Sequence, residues 1–70
     1  MDLTDHALDR LAERGIALRD VELVLATAHR RVMHRHGSTS HHGFALDGRA
    51  IVVVTETDDH DRIVTVMELA

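Results

Sequence analysis

The sequence predicts an α+β domain in which two N-terminal helices pack on one face of a four-stranded antiparallel meander. Three observations carry this expectation. Apolar residues recur at helical spacing up to Ala28 and turn into strand-like runs after His29. Turn signals at Gly37, Asp47-Gly48 and Asp58 to Asp61 cut the second half into four short segments. Seventy residues are enough for a single domain, 1–70, and for little more.

The first helix is expected behind Thr4 as N-cap, with Asp5 complementing the positive end of the helix dipole. It runs to about Arg14, where Gly15 supplies a left-handed stop and Ile16 packs beside the turn. Leu8, Leu11 and Ala12 are read as its core side. The second helix runs from about Leu18 to Ala28. Leu18, Val21, Val24, Leu25 and Ala28 fall on one face, and Leu23 points away.

The strands are expected at Arg30 to His36, His41 to Leu46, Arg49 to Thr57 and Arg62 to Leu69. Gly37 to Ser40 reads as a four-residue turn, and Asp47-Gly48 as a two-residue hairpin turn. That second turn pairs Leu46 with Arg49, Phe44 with Ile51 and His42 with Val53. Phe44, Leu46, Ile51 and Val53 then share the face under the helices, joined by Val64 and Val66. The opposite face carries Ala45, Val52, Val54, Thr65 and Met67. It is too apolar for a plain solvated face.

Composition narrows the function classes. Apolar residues make up 44% of the chain, which excludes a disordered segment. Phe44 is the only aromatic residue of the Phe, Tyr and Trp class, so the core must be aliphatic. Without cysteine there is no disulfide framework and no thiolate metal site. No membrane-length apolar run and no signal peptide are seen, so a cytoplasmic location is expected. The formal charge is −4, and every basic residue is arginine. Protonating all seven histidines would carry it to +3, so the sign turns in mildly acidic solution. At pH 7 the chain as a whole does not attract nucleic acid. A domain this small buries only ~60% of its unfolded surface, so a partner is expected.

His6, Arg10 and Arg14 stand at i, i+4 and i+8 and share one drifting stripe of the first helix. On chemistry alone, two arginines near a helix C-terminus complement its dipole. The wider pattern runs His6-Ala7, Arg10-Leu11, Arg14-Gly15-Ile16, then a short helix with Val21 and Leu25, then Ile63 to Val66 in a closing strand. This pattern resembles a family of small bacterial domains still classed as of unknown function. That family is similar in turn to the BrnT-type toxins, which have a RelE-like ribonuclease fold.

The resemblance implies a toxin-antitoxin setting, RNA as substrate and cleavage without metal. His6 would be the acid or base, and Arg10 or Arg14 the phosphate clamp. An antitoxin-like protein would be the partner. The closing strand departs from the toxin pattern, reading Thr65-Val66-Met67 with no tyrosine.

A second candidate lies in the first hairpin. A turn over Gly37 to Ser40 would pair His36 with His41, and His34 projects on the same side as His36. Three imidazoles would converge on the face away from the helices. They suit zinc with an open fourth position, or an acid-base pair. A histidine-rich exposed hairpin without a ligand is the plainer alternative. The Asp58-Asp59-His60-Asp61 run reads as a solvated acidic turn.

Three functions therefore stand side by side. The first is a RelE/BrnT-like ribonuclease built on His6, Arg10 and Arg14. The second is a non-catalytic module that forms a homo-oligomer or docks a protein partner on the outer face of the sheet. The third is a metal-binding hairpin at His34, His36 and His41.

Overall fold

The computed structural model describes residues 1–69. Its first helix, α1, spans Asp5–Arg14. Thr4 is extended there, and its Oγ1 accepts the Ala7 N–H at 3.1 Å, satisfying one of the donors a helix start leaves open. Gly15 ends α1 with φ 62°. Its N–H reaches the Ala12 carbonyl, while the Ile16 N–H reaches the Leu11 carbonyl at 3.0 Å. This pair of bonds is a Schellman stop, and it turns Ile16 down into the core.

The buried line of α1 is Ala7 and Leu11, with Ile16 delivered by the turn. Leu8 and Ala12, expected inside, are exposed. The second helix, α2, spans Leu18–Thr27. The buried Asp20 carboxylate accepts the Ala17 N–H at 3.2 Å at its start. Val21 and Val24 are buried and Leu25 packs against them, whereas Leu18 stays exposed.

Five strands follow the chain order β1 Asp2–Leu3, β2 Arg30–Met33, β3 Ser38–Phe44, β4 Ala50–Glu56 and β5 Arg62–Glu68. They form one sheet in the order β1-β5-β4-β3-β2. Strands β2 to β5 are the expected antiparallel meander. The four-stranded antiparallel expectation is corrected by β1, which adds a parallel edge beside β5 and makes the sheet mixed. Two residues have no periodicity to read, so β1 leaves no sequence signal. It is held by Asp2 N–H to Asp61 O at 2.6 Å, Thr4 N–H to Ile63 O at 3.1 Å, and the Arg62–Asp2 ion pair. Thr4 Oγ1 also donates to Val64 O at 2.9 Å.

Both tight turns differ from expectation, and for one reason. Each is a three-residue loop ending on a left-handed glycine. In the first, His34 N–H bonds Ser38 O at 2.8 Å around Gly37, whose φ is 94°. In the second, Ala45 N–H bonds Arg49 O at 2.9 Å around Gly48, whose φ is 90°. The Asp47-Gly48 hairpin therefore pairs Phe44 with Ala50, Gly43 with Ile51 and His41 with Val53. This is one residue away from the two-residue register, and one residue of slip exchanges the faces of a strand. Phe44 and Leu46 are exposed, while Ala45 joins the core.

The core is Ala7, Leu11, Ile16, Val21, Val24, Ala45, Ile51, Val53, Ile63 and Val66, so both helices lie on one face of the sheet. Val64, expected in it, is absent from this cluster. The β4–β5 register shifts at Val54/Thr55, with Thr55 opposite Ile63, and Ile63 takes the inward place. Gly43 lets α2 lie close on β3: a Cβ there would stand 3.2 Å from Val24 Cγ1 and 3.4 Å from its Cα.

Arg49 ties the second hairpin to α1. Its Nη atoms donate to Arg14 O at 3.0 Å and Gly15 O at 3.1 Å, satisfying carbonyls the helix end leaves open. Asp47 and Glu68 flank the same guanidinium at 2.8 and 3.2 Å. The Arg49 backbone N–H, aided by its positive charge, holds the Asp47 carboxyl below its usual range.

Candidate functional site

The α1 stripe survives as geometry. His6 and Arg14 are exposed and Arg10 is half-buried on the solvent side of the helix. Their setting differs from one to the next. Arg10 Nη1 is paired with the Glu13 carboxylate one turn on. At Arg14 it is the main-chain carbonyl, through Arg49, that meets the sheet.

The hairpin histidines are divided. His34 and His36 lie on the outer face, rings stacked with centroids 5.6 Å apart. Each meets a serine hydroxyl: His34 Nε2 to Ser40 Oγ at 2.8 Å, His36 Nε2 to Ser38 Oγ at 2.7 Å. His41 lies on the other face, opposite Val53 and under the helix side. The predicted convergence of His34, His36 and His41 rested on the four-residue turn, and the shorter loop around Gly37 removes it. Among the described residues no group of three or more His, Cys, Asp or Glu side chains is placed to hold a metal ion.

His41 is only 1% exposed and fully engaged. Arg31 Nε donates to its Nδ1 at 3.1 Å. An arginine nitrogen can only donate, so Nδ1 carries the lone pair. The proton then sits on Nε2, which donates to Thr55 Oγ1 at 2.9 Å. Arg31 Nη2 also donates to Leu25 O at 2.7 Å, so one chain of bonds links the end of α2 with β2, β3 and β4. The His60 ring meets the His41 ring edge-on at 5.0 Å. Burial first, then His60, Arg31 and His42, lower the His41 pKa from 6.5 to about 4. Sequence reasoning placed His41 on the wrong face, and no local pattern marks it as a buried lock.

The third surface is the face away from the helices. Phe44, Ala50 and Leu69 form one cross-strand row, since Leu69 N–H bonds Ala50 O at 2.9 Å. His42, Val52 and Met67 form the next, and Ser40, Val54 and Thr65 the third. Val52, Val54, Thr65 and Met67 lie where expected, and Phe44 takes the place expected of Ala45. Phe44 is 54% exposed, Met67 43% and Leu69 50%, while Val52 between them is buried. The His29 ring stacks on Phe44 at 5.3 Å and extends this surface toward β2.

A mixed five-stranded sheet with both helices on one face defines a small α+β domain. Residues 3–68 match a family model described as Domain of unknown function (DUF4258), and the chain belongs to that family. Searches of curated proteins and of solved structures each returned no match. Among the described residues no helix is long and apolar enough to cross a membrane.

Proposed function

We propose that this domain is an interaction module of RelE/BrnT-like fold that pairs with a second copy of itself through the outer face of its sheet. One observation supports the reading. Phe44, Met67 and Leu69 stand exposed together on that face, beside Val54, while both helices are committed to the opposite face. Burying such a row yields ~25 cal/mol per Å² before the costs of association. A standard interface takes about 800 Å² from each partner. That is near a fifth of the 4418 Å² the chain exposes. An antitoxin-like protein is the other occupant of the same surface.

Sedimentation of the purified chain tests the reading. The wild type is expected as a dimer at micromolar concentration, and Met67→Asp and Val54→Asp as folded monomers. A wild-type monomer at high concentration that also binds no protein through this face would defeat it.

A second reading, metal-independent RNA cleavage, has its own support: His6 and Arg14 are presented to solvent on one helix stripe. The imidazole would transfer the proton and the guanidinium would hold the phosphate. With chelator present, the wild type should then cleave RNA, and His6→Ala and Arg14→Ala should stop cleavage without lowering the melting temperature. Inactivity of the wild type across RNAs of varied sequence and structure would remove this reading.

A further inference from the structure

The charge of this chain is segregated. Residues 29–42 hold three arginines, five histidines and no carboxylate. The remainder holds five arginines against twelve carboxylates. No Asp or Glu occurs between Leu23 and Leu46. The basic segment is β2, the turn after it and most of β3, so it sits at one edge of the sheet. Arg10, Arg49 and Arg62 have carboxylate partners. Among the described residues no carboxylate lies within ion-pair distance of Arg30, Arg31 or Arg35. The acidic Asp58 to Asp61 turn lies beside the Gly37 end, through Thr57 N–H to Gly37 O at 2.9 Å, yet leaves these arginines unmatched.

Strand β2 pairs with β3 alone. His34 N–H bonds Ser38 O, and His34 stands in the same ladder as Val32 opposite Ser40 and Arg30 opposite His42. In an antiparallel ladder the bonding direction alternates. Arg30 and Val32 therefore turn their main-chain groups to β3, and Arg31 and Met33 turn theirs outward. An outward N–H and C=O at two alternate residues, flanked by arginines, are the parts needed to receive one more strand.

From this we propose that the β2 edge binds an extended acidic segment of a partner protein, added as a sixth strand. Carboxylates of the segment would face Arg30 and Arg35, and its main chain would bond Arg31 and Met33. A second copy of this chain is disfavoured at this edge. Two β2 strands side by side would bring four arginines together, six with the Arg35 of each following turn, and no carboxylate between them, and like charges across a strand pair repel. A nucleic acid would use the arginines and leave the outward main-chain groups unpaired. Arginines on an edge also discourage strand aggregation. That role asks for no ligand, and the experiment separates the two.

The probe is a fluorescent peptide of alternating Asp and Val, with a Lys and Val peptide and a single-stranded RNA as controls. Anisotropy is read on the wild type, Arg30→Glu/Arg35→Glu and Met33→Pro. The Met33 N–H makes no bond to β3, so proline there removes an outward donor and spares the ladder. Binding of the acidic peptide should fall as salt rises and weaken at least tenfold in the charge-reversed variant. Met33→Pro should weaken it about threefold to tenfold, the worth of one lost hydrogen bond. Slowed exchange of the Arg31 and Met33 amides on binding is an independent reading should the proline variant not fold. No binding of the acidic peptide would overturn the proposal. So would tighter binding of the RNA, or amide exchange that the peptide leaves unchanged. Arg30 ends the outer-face row of His42, Val52 and Met67, with two strands between it and Met67, so Met67→Asp should leave peptide binding intact whether or not it dissociates a dimer.

Discussion

Val53→Asp is expected to unfold the domain, while Val54→Asp, one residue along the same strand, keeps it folded. Val53 is fully buried between His41 and Val66 in the ladder and belongs to the core under the helices. A carboxylate there is stripped of water beside a His41 ring whose two nitrogens are already bonded to Arg31 and Thr55, or it takes up a proton and still leaves a polar group unpaired. A 70-residue domain has only about 4–10 kcal/mol of stability, and an uncompensated buried charge takes most of it. Val54 faces the other way and is partly open to water. Aspartate at that position costs β propensity and some packing, within about 1 kcal/mol. Urea denaturation followed by circular dichroism distinguishes them. Equal loss of stability in the two variants would mean that the alternation of faces along β4 is wrong.

Lowering the pH from 7.5 to 4 is expected to remove about 2–3 kcal/mol of stability through His41 alone. The sign follows from which state holds the proton. In the unfolded chain His41 titrates at its ordinary 6.5; in the folded domain it titrates at about 4. Between these values the unfolded state binds the proton and the folded state does not, so stability rises with pH. The contribution is complete above about 6.5 and is lost as pH falls toward 4. Below that both states are protonated and the loss levels off.

The cause is local. A proton on Nδ1 would replace the acceptor that Arg31 Nε uses, beside a guanidinium and close to His60 and His42. His41→Gln supplies the control. Its amide oxygen can accept from Arg31 and its NH₂ can donate to Thr55, with nothing to titrate. The midpoint of urea unfolding should fall across this window in the wild type and stay nearly flat in the variant. Parallel curves would place the acid sensitivity elsewhere.

What the sequence told and what it withheld divide along a physical line. The helices were legible because their ends are written locally, in the Thr4 cap and the Gly15 stop, and both behave as read. The strand Ile51 to Val54 was legible from its run of β-branched residues, and with it the split between inward Val53 and outward Val54. The faces of β3 were not. Asp47-Gly48 fits a two-residue turn as well as the last two places of a three-residue loop, and the pattern from His41 to Leu46 has no strong alternation to decide between them. A strong apolar pair, Phe44 and Leu46, pointed to the core. Tertiary packing instead put small Gly43 and Ala45 there, and at Gly43 α2 lies so near that a Cβ would already stand 3.2 Å from Val24 Cγ1. The histidine cluster inherited this error. The α1 stripe depends on helix spacing alone and kept its shape, whereas the histidine cluster depended on a turn and came apart.

The short strand β1 has a consequence for the order in which the domain forms. The two glycine-ended hairpins and the two helices are local, closing over a few residues each. The contacts of Asp2, Leu3 and Thr4 with residues 61 to 64 join positions about sixty apart. Closing a loop of sixty residues rather than fifteen costs only about 1.2 kcal/mol more, but that cost falls before any contact returns it. The hairpins and their packing against α2 are therefore the part suited to form first. The N-terminal strand needs β5 as its only partner in the sheet, and through Thr4 it fixes the start of α1. The start of the helix that bears His6, Arg10 and Arg14 is thus anchored by the longest-range contacts of the chain, while core burial of Ala7 and Leu11 and the bonds from Arg49 hold the rest.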